Sequence, residues 1–119
     1  MKYTQEHEWL RVEGDLVVVG ITAYAAEQLG DVVFVELPEV ETQVAQGDEV
    51  VVIESVKAAS DILAPVEGEI VEVNAKLSDT PGLVNEDPLG DGWMFKMKVD
   101  DLAALDEFMD EDEYNDMIA

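Results

Sequence analysis

The stretch Val52–Asp61, "VIESVKAASD", sets a single cation, Lys57, between two β-rich runs. Upstream, "GDEVVVIESV" (Gly47–Val56) opens on a turn-like Gly-Asp and is apolar on both faces, which predicts a strand buried on both sides. Downstream, "SDILAPV" (Ser60–Val66) resumes strand character as far as Pro65. Lys57 is therefore predicted at a hairpin tip. Its neighbours Val56, Ala58 and Ala59 are small or apolar, not the Asn-Gly or Asp-Gly of an ordinary two-residue hairpin.

Working outward, "VAQGDEVV" (Val44–Val51) and "APVEGEIV" (Ala64–Val71) share a pattern of apolar residue, Gly, acid and apolar residue, and the two straddle the lysine. "LVVVGIT" (Leu16–Thr22) and "VVFVEL" (Val32–Leu37) read as strands, the second closed by Pro38. Between them Thr22 caps a short helix, "AYAAEQLG", that Gly30 stops. "GEIVEVN" (Gly68–Asn74) alternates, with Ile70 and Glu72 assigned to one face and Val71 and Val73 to the other. "SDTPGLVNEDPLGDG" (Ser78–Gly92) reads as a long loop with at most one helical turn, and "WMFKMKV" (Trp93–Val99) as the last strand.

Beyond Asp100, Leu102, Leu105, Phe108 and Met109 recur at helical spacing. Asp110 reads as the cap of a further helix with Tyr114, Met117 and Ile118 on one side. The fold class is mainly β, a sandwich or flattened β-barrel, with a short helix in the N-terminal half and helices at the C-terminus. One domain covers 1–119, its β body spanning about 1–99 and its helical segment about 100–119.

A hydrophobic content of 48% supports a core, so acidity does not imply disorder. The formal charge of −23 argues against nucleic acid, whose phosphates it would repel, and against anionic membranes. It favours steering toward basic surfaces on partner proteins. With no cysteine, any sulfur redox chemistry must come from an attached group. "MKYTQEHEWL" is neither a signal nor a transit peptide, and no apolar run suffices to span a bilayer. The expectation is a cytoplasmic monomer.

A lysine at a strand end ordinarily keeps that edge soluble. Here lysine is scarce and the tip carries Val and Ala, against that reading. A Schiff-base lysine needs a neutral amine, and nearby Glu54 and Asp61 favour the ammonium instead. Covalent attachment suits the pattern: a protruding amine with small neighbours admits a modifying enzyme, and a tethered group then has a high local concentration at a partner's site.

"ESVKAASDILAPVEGEIVEVN" (Glu54–Asn74) resembles the lipoyl-lysine segment of the glycine cleavage system H-protein family. "HEWLRVEGD" and "VGITAYAAEQLGDVVFVELPEV" are similar to its N-terminal portion, "LVNEDPLGDGWMFKMKV" to its last loop and strand, and "DEFMDEDEYNDMIA" to its closing helix. In "PEVETQV" this chain has Glu41 where the family pattern leads one to expect Gly. The resemblance implies a lipoyl-domain-like barrel-sandwich hybrid, with lipoate in amide linkage to Lys57. It implies a carrier with no catalytic residues of its own. A pyridoxal-phosphate glycine decarboxylase would load an aminomethyl group, an aminomethyltransferase would pass it to tetrahydrofolate, and dihydrolipoyl dehydrogenase would reoxidise the dithiol. Lipoate-attaching enzymes would be further partners. The resemblance also places a sheltering pocket for the carried group on Glu8, Asp61 and, as an apolar wall, Ile21.

His7, the only histidine, reads as a packing or hydrogen-bonding residue, and Trp9 and Trp93 as core or pocket walls. Glu111 and Glu113 lack metal-loop spacing, and no metal site is expected. The rivals are a lipoyl domain of a 2-oxoacid dehydrogenase, a lipoate-relay protein, a biotin carrier and an acidic binding protein without cofactor. The first usually has Asp where Val56 stands, and biotin carriers set Met on both sides of the lysine.

Overall fold

A computed structural model describes residues 1–119. The elements in chain order are β1 (Lys2–Tyr3), β2 (Glu8–Glu13), β3 (Leu16–Ile21), α1 (Ala23–Leu29), β4 (Val32–Glu36), β5 (Thr42–Val44), β6 (Glu49–Ser55), β7 (Ala59–Leu63) and β8 (Gly68–Val73). There follow α2 (Lys76–Asp79), α3 (Leu83–Glu86), β9 (Phe95–Lys98), a 3-10 helix (Leu102–Glu107) and α4 (Glu111–Ile118). The strands make a six-stranded sheet, ordered β1-β2-β3-β9-β8-β5, and a three-stranded sheet, ordered β4-β6-β7, antiparallel throughout. The mainly β class holds. Both sheets are open and neither closes into a barrel, so the sandwich half of the expectation is the one realised.

One core of 21 buried residues draws on both sheets: Val17 and Val19 of β3, Ile70 of β8 and Phe95 and Met97 of β9 meet Val35, Val51, Ile53 and Ile62 of the smaller sheet. The internal echo has a structural counterpart. Equating β5-turn-β6 with β7-turn-β8 carries the β5–β8 pairing onto the β7–β6 pairing, and both pairings are present.

The strand buried on both faces is β3, not β6. Val17, Val19 and Ile21 face the main core, while Val18 packs with Trp9, Tyr3 and Tyr114 in a second cluster. Gly20 lies opposite Trp9 in the ladder, and a Cβ there would sit 2.6 Å from the indole, so only Gly leaves the ring room. In β6, Glu49 and Glu54 are exposed and Val52 is half-buried.

The face assignment of β8 is also corrected. A bulge between Ile70 and Glu72 adds a residue and shifts the alternation. Ile70 pairs with Met97 and Val73 with Phe95, so both turn inward; exposed Glu72 sits opposite Lys96.

Where one helical turn at most was expected, α2 runs into the loop and α3 lies within it. The segment 102–107 is a 3-10 helix, and Leu102, Leu105 and Phe108 recur every third residue, as its three-residue turn requires. In α4, Asp110 forms the anticipated cap, completed as a capping box by Glu113. Tyr114 is buried and Ile118 packs beside it, whereas Met117 is exposed. Strands β1, β2 and β5 had no counterpart in the sequence reading, being short or, in β2, dominated by charged and aromatic residues.

Candidate functional site

The β6–β7 connection is knotted by Ser55. Its Oγ accepts from the backbone N–H of Lys57 (3.2 Å) and of Ala58 (3.1 Å), and its hydroxyl donates to the Ala58 carbonyl (3.0 Å). Its own N–H also donates to that carbonyl (2.8 Å), and Val56 N–H donates to the Asp31 carbonyl (3.0 Å). A serine that satisfies turn amides with its side chain replaces the missing Asn-Gly. Lys57 is thus held on a defined turn, as the sequence predicted, with Val56 beside it 67% exposed.

The lysine side chain lies over Gly30, the residue that ends α1. A Cβ at Gly30 would stand 3.2 Å from Lys57 Cε and 3.3 Å from Cδ, and φ there is +76°. The bare glycine backbone gives the alkyl stem a bed that any other residue would fill. Lys57 Nζ forms no ion pair among 29 acidic residues; the two ion pairs of the chain both belong to Lys96.

Glu8 opens β2 and is 2% exposed. One carboxylate oxygen accepts from Leu63 N–H (3.1 Å) and the other from the Thr4 hydroxyl (3.4 Å). Burial pushes its carboxyl up to about 7, against the lowering effect of the Leu63 bond and with Glu6 raising it further. Ile21, also buried, is its cross-strand partner. Asp61 is exposed on β7, two residues before Leu63 and on the same face of that strand. The structure therefore pairs Glu8 with Ile21 and ties Glu8 to β7, the strand that leads from the lysine turn. No hydrogen bond or ion pair ties the Asp61 or Lys57 side chain to either of them. A cavity of about 130 Å³ lies against Glu8, Leu63 and Ala64.

His7 is a hydrogen-bonding residue, as read: Nδ1 lies 2.8 Å from the Tyr114 hydroxyl. Trp9 is fully buried, its indole N–H donating to the Pro88 carbonyl (2.9 Å), and half-buried Trp93 carries Lys96 5.2 Å from its ring centroid. Sequence reasoning missed Ser55, Thr4, Leu63 and the part Gly30 plays beneath the lysine. Ser55 alone had a local signal, a hydroxyl three residues before the end of a turn. The rest depend on contacts between distant segments.

The profile of a family described as "Glycine cleavage H-protein" matches residues 1–119. The chain is 58% identical over 116 residues to the glycine cleavage system H protein of Thermus thermophilus, covering 98% of this chain and 91% of that one. It is 52% identical over 118 residues to that of Parvibaculum lavamentivorans (99% and 94% covered). The crystal structure of a glycine cleavage system H protein from Mycobacterium marinum superposes with a TM-score of 0.88 at 40% identity, covering 98% of this chain and 94% of that one.

Proposed function

This chain belongs to the glycine cleavage H-protein family, and from that premise we propose that Lys57 is its lipoyl attachment site and that Glu8, Ile21 and Asp61 shelter the carried group. The family's role is that of a lipoyl-carrying shuttle of the glycine cleavage system, and the chain is a carrier, not an enzyme. The observation that carries the attachment site is the Ser55-knotted turn, which displays an amine free of any ion pair between small or apolar neighbours. When bound, lipoate supplies the two sulfurs that this Cys-free chain lacks.

The chain's own residues then have distinct tasks. Ser55 fixes the direction in which the lysine leaves the turn. Gly30 supports the stem, so the amine is offered from a reproducible place. Ile21 excludes water beside Glu8. With burial and the Glu6 carboxylate both disfavouring its ionised form, Glu8 holds its proton up to about pH 7. A cation brought alongside favours the ionised form, so the corner attracts a loaded amine more than an unloaded arm. Exposed Asp61 offers a second carboxylate on the strand between Glu8's anchor and the lysine.

The partners in this reading are glycine decarboxylase, the aminomethyltransferase, dihydrolipoyl dehydrogenase and lipoate-attaching enzymes. The test is glycine decarboxylation by the partner decarboxylase supplied with this chain after exposure to a lipoate ligase. The native chain should support turnover and Lys57→Arg should not. Equal turnover with the arginine variant would refute the assignment.

A further inference from the structure

Glu8 and Ile21 close the end of the β2–β3 ladder, and the residues flanking that pair, His7 and Thr22, meet on one side chain from the far end of the chain. The Tyr114 hydroxyl lies 2.8 Å from His7 Nδ1 and 2.7 Å from Thr22 Oγ1. Thr22 N–H donates to the His7 carbonyl (2.9 Å), so the two flanking residues are also bonded to each other. His7 has φ +69°, an uncommon conformation for a residue with a side chain. Such a conformation persists only where its surroundings fix it. Here the Tyr114 hydroxyl holds one ring nitrogen, and the Tyr24 ring lies 4.8 Å away, centroid to centroid.

Tyr114 is itself well placed to act as a fixed post. It is 4% exposed and stacks on Tyr3 with ring centroids 4.7 Å apart. Its helix, α4, starts at a complete capping box, just after Met109 exchanges backbone hydrogen bonds with Tyr3 at 2.8 and 3.1 Å. The ring packs with Tyr3, Trp9 and Val18, while the hydroxyl reaches between His7 and Thr22.

We propose that Tyr114 is a positioning residue: its hydroxyl clamps His7 and Thr22 and so sets the Glu8 carboxylate against the Leu63 N–H. The C-terminal helix is then part of the sheltering corner, though it contributes nothing that touches the carried group. This inference rests on the reading of Glu8 and Ile21 as the corner that shelters cargo. Its test, made on the unmodified chain, does not depend on cargo or on lipoylation.

The measurement is amide hydrogen exchange at Leu63 together with the carbon-detected titration of the Glu8 carboxyl. Tyr114→Phe keeps the stack on Tyr3 and removes only the hydroxyl. It should accelerate Leu63 exchange about fivefold, the loss expected for one intramolecular hydrogen bond, and move the Glu8 midpoint up from about 7, because the bond from Leu63 that favours the carboxylate is weakened while the group stays buried. His7→Gly, which accepts the positive φ and lacks the ring, should do the same and stands in if Tyr114→Phe does not fold. His7→Asn places a polar atom at the Nδ1 position, tolerates the same φ and should behave as native. If Leu63 exchange and the Glu8 midpoint stay at native values in folded Tyr114→Phe or His7→Gly, the clamp does not exist. The clamp is equally excluded if His7→Asn loosens the corner as much as His7→Gly.

Discussion

Glu8 shows how far one residue's environment departs from its sequence neighbourhood. In the sequence it is one acid among 29; in the fold it is 2% exposed, with its carboxyl pushed up to about 7. Between its ordinary 4.5 and 7 the native state holds a proton that the unfolded chain has released. The corresponding stability is fully present below 4.5 and is lost as pH rises through 7. Glu8→Gln keeps an oxygen for the Leu63 N–H and cannot ionise. Relative to the native chain it should gain roughly 2 kcal/mol between pH 5 and pH 8, measured by denaturant unfolding. The other acids are common to both chains and cancel in that difference. Parallel stability curves would show that Glu8 ionises freely. Glu41 is a second case at this scale: it stands where the family pattern suggests Gly, and its φ is +67°. Glu41→Gly should therefore stabilise the fold by about 1 kcal/mol in the same measurement. The turn that displays Lys57 was legible because its residues lie within one short stretch. The burial of Glu8 was not, because Thr4 and Leu63 reach it from separate segments.

At the scale of elements, legibility followed the locality of the cause. The Thr22 cap, the Gly30 stop and the Asp110 cap were read correctly because each depends on residues within one turn. The bulge in β8 was missed because it is decided by register against β9, where Lys96 draws Glu72 outward to within 3.9 Å while Phe95 takes Val73 inward. The double burial of β3 was likewise hidden: one face is covered by the core, and the other by an indole from β2 and a ring from α4. Gly20 is the pivot of that arrangement, since it leaves space for Trp9. Gly20→Ala should lower stability by about 1–3 kcal/mol through overpacking. The indole should report it as a change in near-ultraviolet dichroism. An unchanged melting temperature would mean that Trp9 has room to move.

For the whole molecule, two open sheets around one core leave the β6–β7 turn at the surface with its exposed lysine, braced against Gly30 and Asp31, while the N-terminal strand and the C-terminal helix lock together at Tyr3, Met109 and Tyr114. A net charge of −23 surrounds a displayed amine and suits partners with basic approaches to their active sites. No helix is long and apolar enough to cross a membrane. The overall layout was legible because the hairpin and its internal echo are local patterns; the knitting of the termini was not, because it rests on contacts more than a hundred residues apart, such as His7 with Tyr114. The proposed attachment site stands on the amine of Lys57. Intact mass with peptide mapping, after incubation with lipoate, ATP and a lipoate ligase, tests it most directly. One lipoyl amide confined to the peptide bearing Lys57, and absent from Lys57→Arg, is the predicted result. An unmodified chain, or an adduct on Lys2, Lys76, Lys96 or Lys98 in its place, would contradict it.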